Sequence, residues 1–183
     1  MLQDLLARQK AAILERWFKR VLETYAPGTA AHMQAEQDLF ANPVGTALRA
    51  GLAETFEHLL RAAEPGSGGL PGPEAERGSP GPALSELLRL RSVQGFLPSA
   101  AVSFIFELKQ VIREMLGEKL RQEACRAELE RLASTLDGLA LAAFDAYMRF
   151  REELYELRVR EALGHRDAAF RMLGRTTRQA QKA

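Results

Sequence analysis

Apolar positions recur along this chain at intervals of three and four, the spacing of helices that bury one side. Leu6, Ile13, Leu14, Trp17, Phe18, Val21, Leu22 and Tyr25 share one side of a first helix over residues 3–25, which Pro27-Gly28 is expected to stop. The lone Trp sits in this stripe, as a core filler whose indole N–H needs an acceptor. Residues 28–41 read as irregular or as a short helix, with Phe40 as a core anchor. Asn42-Pro43 then opens a helix, since Asn caps free N–H groups and Pro at the first helical position has none to lose. That helix runs to Ala63 with Val44, Leu48, Leu52, Phe56, Leu59 and Leu60 inward. Its Gly45 and Gly51 cost propensity and are expected to admit a neighbouring helix.

The pattern stops over residues 64–83, where thirteen of twenty are Gly, Pro or Ser. Such a segment buries too little apolar surface to offset its ordering, so it is expected to be a flexible loop inside one domain. The stripe resumes with Leu84, Leu87, Leu88, Leu90 and Val93 and ends at Gly95. Pro98 biases Leu97 away from helical geometry, leaving Gln94 and Ser99 to satisfy the two helix ends. The helix that follows, to Gly117, is the one the chain is organised around. Ala101, Phe104, Ile105, Leu108, Val111, Ile112, Met115 and Leu116 cover one broad face, yet Phe106 stands on the other among Ser103, Gln110 and Arg113. The last helix is expected from Glu118 to Leu163, carrying Leu129, Leu132, Leu136, Leu139, Ala143, Phe144, Tyr147, Phe150, Leu154 and Leu157. Between Gly138 and Phe144 every residue is small or apolar, which predicts two buried faces. Beyond Phe150 charges alternate, with Glu156 and Arg160 set for an i,i+4 pair, so the helix is expected to leave the bundle partly solvated.

No stretch alternates with period two. The fold class is therefore all-α: a single-domain bundle of five or more helices with a long C-terminal helix, either globin-like or simpler. The domain is placed at residues 1–170, with a basic, frayed tail over 171–183. The 183 residues suffice for one sizeable core, and 46% hydrophobic with 27% charged residues is ordinary for a soluble domain. A net charge of +1, with Lys and Arg spread evenly, argues against nucleic acid as a partner. The amphipathic N-terminus has no signal-peptide core, and no window is apolar for long enough to span a membrane. With Cys125 the lone cysteine, no internal disulfide can form, and a cytoplasmic location is expected.

Catalytic chemistry finds little to stand on. His32, His58 and His165 lie far apart and match no ligand spacing, and Glu54-x-x-x-His58 has the wrong interval for a di-iron bundle. Glu152, Glu153 and Glu156 alternate with arginines, as on a solvated face. No metal and no cofactor is expected, and no catalytic residue is named. The candidates are instead an interface or a pocket: Gln94, Phe96, Ser103, Phe106, Gln110, Arg113 and Leu141.

Five motifs occur in order: Asn42-Pro43-Val44-Gly45; Val93 to Ser99 (VQGFLPS); Leu108-Lys109 with Ile112-Arg113-Glu114; Phe144-Asp145-x-Tyr147; and Arg151-Glu152-x-Leu154-Tyr155-Glu156-Leu157-Arg158. Over residues 5–163 this set resembles the N-terminal domain of RsbT co-antagonist (RsbRD-type) proteins. The resemblance implies a sensory or regulatory module, related to non-haem, globin-like dimers, which a STAS domain usually follows to assemble the stressosome and bind a switch kinase. About twenty residues follow the matching region, so a stand-alone module is expected, with direct kinase binding and stressosome assembly in doubt. Two function classes follow. The first is a non-enzymatic, homodimeric regulatory module that acts through its C-terminal helix on a signalling partner. The second is a helical domain that holds a small molecule such as haem, another tetrapyrrole or a fatty acid.

Overall fold

The computed structural model describes residues 2–36, 38, 40–62, 80–117 and 126–180, the side chains of the last segment as far as Arg166. It holds α1 (Leu2–Leu22), α2 (Pro27–Ala35), α3 (Pro43–Ala62), α4 (Pro82–Val93), α5 (Pro98–Leu116) and α6 (Arg126–Ala180). The fold is all-α, with α6 as its long C-terminal helix. Around the core, α1 packs on α3 and α5, α4 on α3 and α6, and α6 closes against α5. The expected flexible loop and Cys125 lie outside the described residues, apart from the loop's end, where Pro80 is buried and Pro82 already opens α4. The expected start of the last helix at Glu118 lies outside them as well.

The stripe on α1 seats Trp17 in the centre, and its indole N–H donates to the Phe104 carbonyl of α5 at 2.7 Å. The two rings stack with centroids 6.1 Å apart. Ion pairs run outside this core: Arg16 and Arg20 of α1 reach Glu114 of α5, and Lys10 reaches Glu57 of α3. Hydrogen bonds from both arginines hold the exposed Glu114 carboxyl below the usual carboxylate range.

Several local expectations are corrected. Pro27-Gly28 does more than stop α1: Pro27 is the first residue of α2, where its missing N–H costs nothing. Phe40 is 91% exposed and anchors no core. It sits in a turn organised by Asp38, whose carboxylate accepts the Phe40 and Ala41 N–H groups at 2.8 and 2.9 Å, and the turn aims the ring at solvent. Asn42 caps α3 as expected, accepting the Gly45 N–H at 2.9 Å, and also donates to the Met33 and Glu36 carbonyls. Gly45 therefore makes room for this cap and not for another helix: an added Cβ would lie 2.3 Å from the Asn42 amide. Gly51 does admit α4, with the place of its Cβ 3.0 Å from Leu87 and 3.3 Å from the Ala83 carbonyl. Ser99 is exposed and does not cap α5; Leu97 holds that position without a side-chain bond, and Pro98 is the first helical residue.

On α4 the inward positions are Leu84, Leu87, Leu88, Arg91 and Ser92, whereas Val93, expected in the stripe, is 61% exposed. The helix ends in a Schellman turn. Gly95 takes φ +77°, the Phe96 N–H donates to the Arg91 carbonyl, and the Gly95 N–H donates to the Ser92 carbonyl, each at 3.2 Å.

Candidate interface and output helix

Two helix faces that the core does not need come together on the outside. The α5 side chains Ala101, Val102, Phe104, Ile105, Leu108, Val111, Ile112 and Leu116 are buried, and Phe106, on the opposite side, is 44% exposed. Gln110 and Arg113 follow Phe106 along the same stripe and are exposed. On α6 the inward face is Leu132, Leu136, Ala140, Ala143 and Tyr147. Leu141 stands about 140° from its centre and is 67% exposed, with Phe144 exposed and Met148 half-buried on the same side. The stretch 138–144 thus has one buried face, and the second expected one is left exposed among the described residues.

Lys109 ties the two faces together. Its ammonium pairs with Asp137 of α6 at 2.5 Å and lies 5.5 Å from the Phe106 ring centroid. A cleft joining Lys109, Ile112 and Arg113 to Arg126, Leu129 and Glu130 shows that α5 and α6 run antiparallel. One turn back along α5 from Lys109 and one turn on along α6 from Asp137 therefore set Phe106 and Leu141 at the same level. Phe106, Gln110, Arg113 and Leu141 share this face. Ser103 does not: it turns toward α1, lining an open polar cleft with Arg20, Thr24 and Glu107, and its hydroxyl donates to the Ala100 carbonyl. Lys109, Asp137, Phe144 and Met148 belong to the face but are not among the interface candidates read from sequence, and Phe144, expected in the packed stripe, is exposed. Their spacing with Phe106 and Leu141 was the available signal.

Gln94 and Phe96 sit at the other end, in the α4–α5 turn. Gln94 is exposed and closes α4 through its backbone N–H. The Phe96 carbonyl, left free by the turn, accepts the Tyr147 hydroxyl and, at 3.1 Å, the Arg151 guanidinium, both from α6. Arg151 also donates to Tyr155 one turn on, and the flanking Tyr147 and Tyr155 phenols raise its pKa. This latch lies where α6 leaves the bundle. Tyr155, Leu157, Val159 and Leu163 beyond it are all about half exposed or more. At about 1.5 Å per residue the 55-residue helix spans ~80 Å, well beyond the helices it packs on. Sequence reasoning placed Tyr147 as an apolar filler and missed its hydroxyl, although Arg151 and Tyr155 at i+4 and i+8 were a readable cue.

Among the described residues no cluster of three or more His, Cys, Asp or Glu could hold a metal ion, and no helix is long and apolar enough to cross a membrane. His58 is exposed on α3 with its pKa lowered, first by partial burial and then by Arg61, against an opposing pull from Glu54.

No curated protein and no solved structure matches the chain. A family model described as the RsbT co-antagonist protein rsbRD N-terminal domain matches residues 11–162, from the middle of α1 to the projecting part of α6. That span contains the outer face of α5 and α6 and the Phe96 latch, and the chain belongs to this family.

Proposed function

We propose that the protein is a non-enzymatic regulatory module that pairs with a second copy of itself through the outer faces of α5 and α6 and signals through the projecting part of α6. One observation carries the reading: Phe106, Leu141 and Phe144 stay exposed on adjoining helices whose other sides already fill the core. A two-fold interface sets a patch against itself, so the patch must carry both charge signs. Lys109 and Arg113 beside Asp137 and Glu130 meet that requirement around the apolar centre. A stable dimer buries roughly 1,200–2,000 Å² in total, so the pairing is taken to use the Leu141–Met148 side of α6 as well as the Phe106 stripe of α5. A change in how the latch seats α6 would then reach a signalling partner along the helix as a change between two packings. Family membership supports the regulatory part of this reading.

Sedimentation of the purified chain at micromolar concentration tests it. A dimer is expected, and the double substitution Phe106→Glu with Leu141→Glu is expected to give a monomer with unchanged helical circular dichroism. A monomeric unsubstituted protein, or a dimer indifferent to both charges, would overturn the interface.

A further inference from the structure

The Arg91 side chain is fully buried, yet no carboxylate pairs with it among the described residues. An uncompensated cation in a protein interior carries a large desolvation cost, and here burial lowers its pKa against the opposing pull of the Tyr25 and Tyr147 phenols. The guanidinium nonetheless stays charged. Part of the compensation is visible. Nη1 donates to the Ala100 and Ala101 carbonyls of α5, at 3.1 Å each. The Phe96 and Phe104 rings lie 4.9 Å from Cζ and the Tyr25 ring 5.6 Å from it.

The rest of the group is poorly satisfied. Nε, Nη2 and the Tyr25 hydroxyl are buried without a hydrogen bond of ordinary length and angle, while the Tyr25 oxygen stands close enough to the guanidinium to raise its pKa as a weak hydrogen-bond partner. Nε and Nη2 are the two nitrogens on one edge of the guanidinium fork. Their N–H bonds run parallel, at the spacing that grips both oxygens of a carboxylate. Among the described residues that edge, the one made for such an anion, meets no acceptor of full strength, and the Tyr25 phenol stands beside it. The walls are aromatic. One positive charge with no acid nearby matches one negative charge, which favours a monoanion over a phosphate dianion.

We propose that Arg91 and Tyr25 form an interior receptor for a small organic monocarboxylate, its two oxygens on Nε and Nη2 and one of them also taking the Tyr25 O–H. The way in is the Tyr25–Phe96 ring pair, which meets edge-on with centroids 5.3 Å apart. Both residues lie in turns, after α1 and between α4 and α5, and both are half-buried. Their rings can part without breaking a helix, while the Phe96 carbonyl remains held by Tyr147 and Arg151. The site faces inward from α4 and does not depend on the α5–α6 pairing, so a strictly monomeric protein would still bind.

The test uses the full chain in chloride-free buffer at constant ionic strength, titrated with sodium acetate, propionate or benzoate. Melting temperature is expected to rise with carboxylate concentration in a saturable way, and calorimetry to give one site per chain. The Arg91 Nε–H resonance should shift during the same titration. Tyr25→Phe is expected to weaken binding about tenfold, the loss of one hydrogen bond to a charged group. Arg91→Met keeps the bulk, removes the cation, and should abolish binding. If Arg91→Met does not fold, the resonance of the unsubstituted protein and the Tyr25→Phe titration decide. Equal stabilisation by sodium perchlorate, an unmoved Arg91 resonance, or a crystal grown in acetate with only water at Nε and Nη2 would each overturn the proposal.

Discussion

Removing the Tyr147 hydroxyl tests whether the latch on the Phe96 carbonyl is a shared device or two unrelated contacts. Tyr147→Phe keeps a fully buried ring and deletes one donor. The carbonyl still accepts Arg151 at 3.1 Å, so it is not orphaned. The cost should be that of one net hydrogen bond, about 0.5–1.5 kcal/mol. In a chain of this length that lowers the melting temperature by roughly 2–4 °C per kcal/mol. In an Arg151→Met background the same substitution strips the carbonyl of both side-chain partners. Its cost should then rise to the penalty for an unsatisfied polar group, ~1–3 kcal/mol. Urea unfolding followed by circular dichroism gives the cost of Tyr147→Phe in the two backgrounds, and their difference is the coupling. Hydrogen exchange adds the location: amides from Met148 to Tyr155 should lose protection in the double variant, while those of α1 do not. Equal costs in both backgrounds would refute the latch, because each donor would then act without regard to the other.

The remaining predictions concern particular positions. Gly51→Val should destabilise by about 1–3 kcal/mol through overpacking against Leu87 and the Ala83 carbonyl, whereas Gly28→Ala, where an added Cβ meets nothing within 4 Å, should stabilise by roughly 0.5–1 kcal/mol; thermal melts of the pair show the opposite signs. The His58 pKa is lowered in the folded chain, so the unfolded chain binds more protons as pH falls through 6.5. Stability should therefore rise with pH up to that point, and His58→Gln should flatten that part of the profile in urea titrations across pH. Leu141→Glu alone should weaken pairing more than Gln110→Glu, because the leucine is the larger apolar loss at the face; sedimentation of the two variants side by side ranks them.

How far the sequence could be read depended on what sort of information each position carried. Helix spans came through because periodicity is a local property: the stripe of α1 and the Asn42-Pro43 start of α3 both stand where the spacing put them. The indole of Trp17 found its acceptor because a buried N–H must. Periodicity put Phe106 opposite a full apolar face, but it could not say whether another helix of the chain covers it; in the structure it is 44% exposed. What failed depended on which way a turn or an end points. Phe40 reads as core by composition alone, and only the Asp38 turn decides otherwise. Ser99 has the chemistry of a cap, but Leu97 holds the cap and Pro98 the first helical position, which leaves Ser99 two places too late.

Arg91 shows the limit most sharply, since its position was legible and its identity hid it. Leu84, Leu87, Leu88 and Arg91 stand at i, i+3, i+4 and i+7, the interval of an inward stripe. Hydrophobic pattern reading passes over a charge and takes the next apolar residues, Leu90 and Val93, which the helix turns outward to half-buried and exposed positions. A cation that keeps an inward place in an otherwise apolar stripe must have its donors met, and the described chain meets only part of them. Polar residues at core positions mark where packing alone does not determine the residue. The same Arg91 carbonyl starts the turn whose Phe96 carbonyl α6 clasps. The backbone of Arg91 is thus joined through a single residue, Phe96, to the contact that seats the output helix.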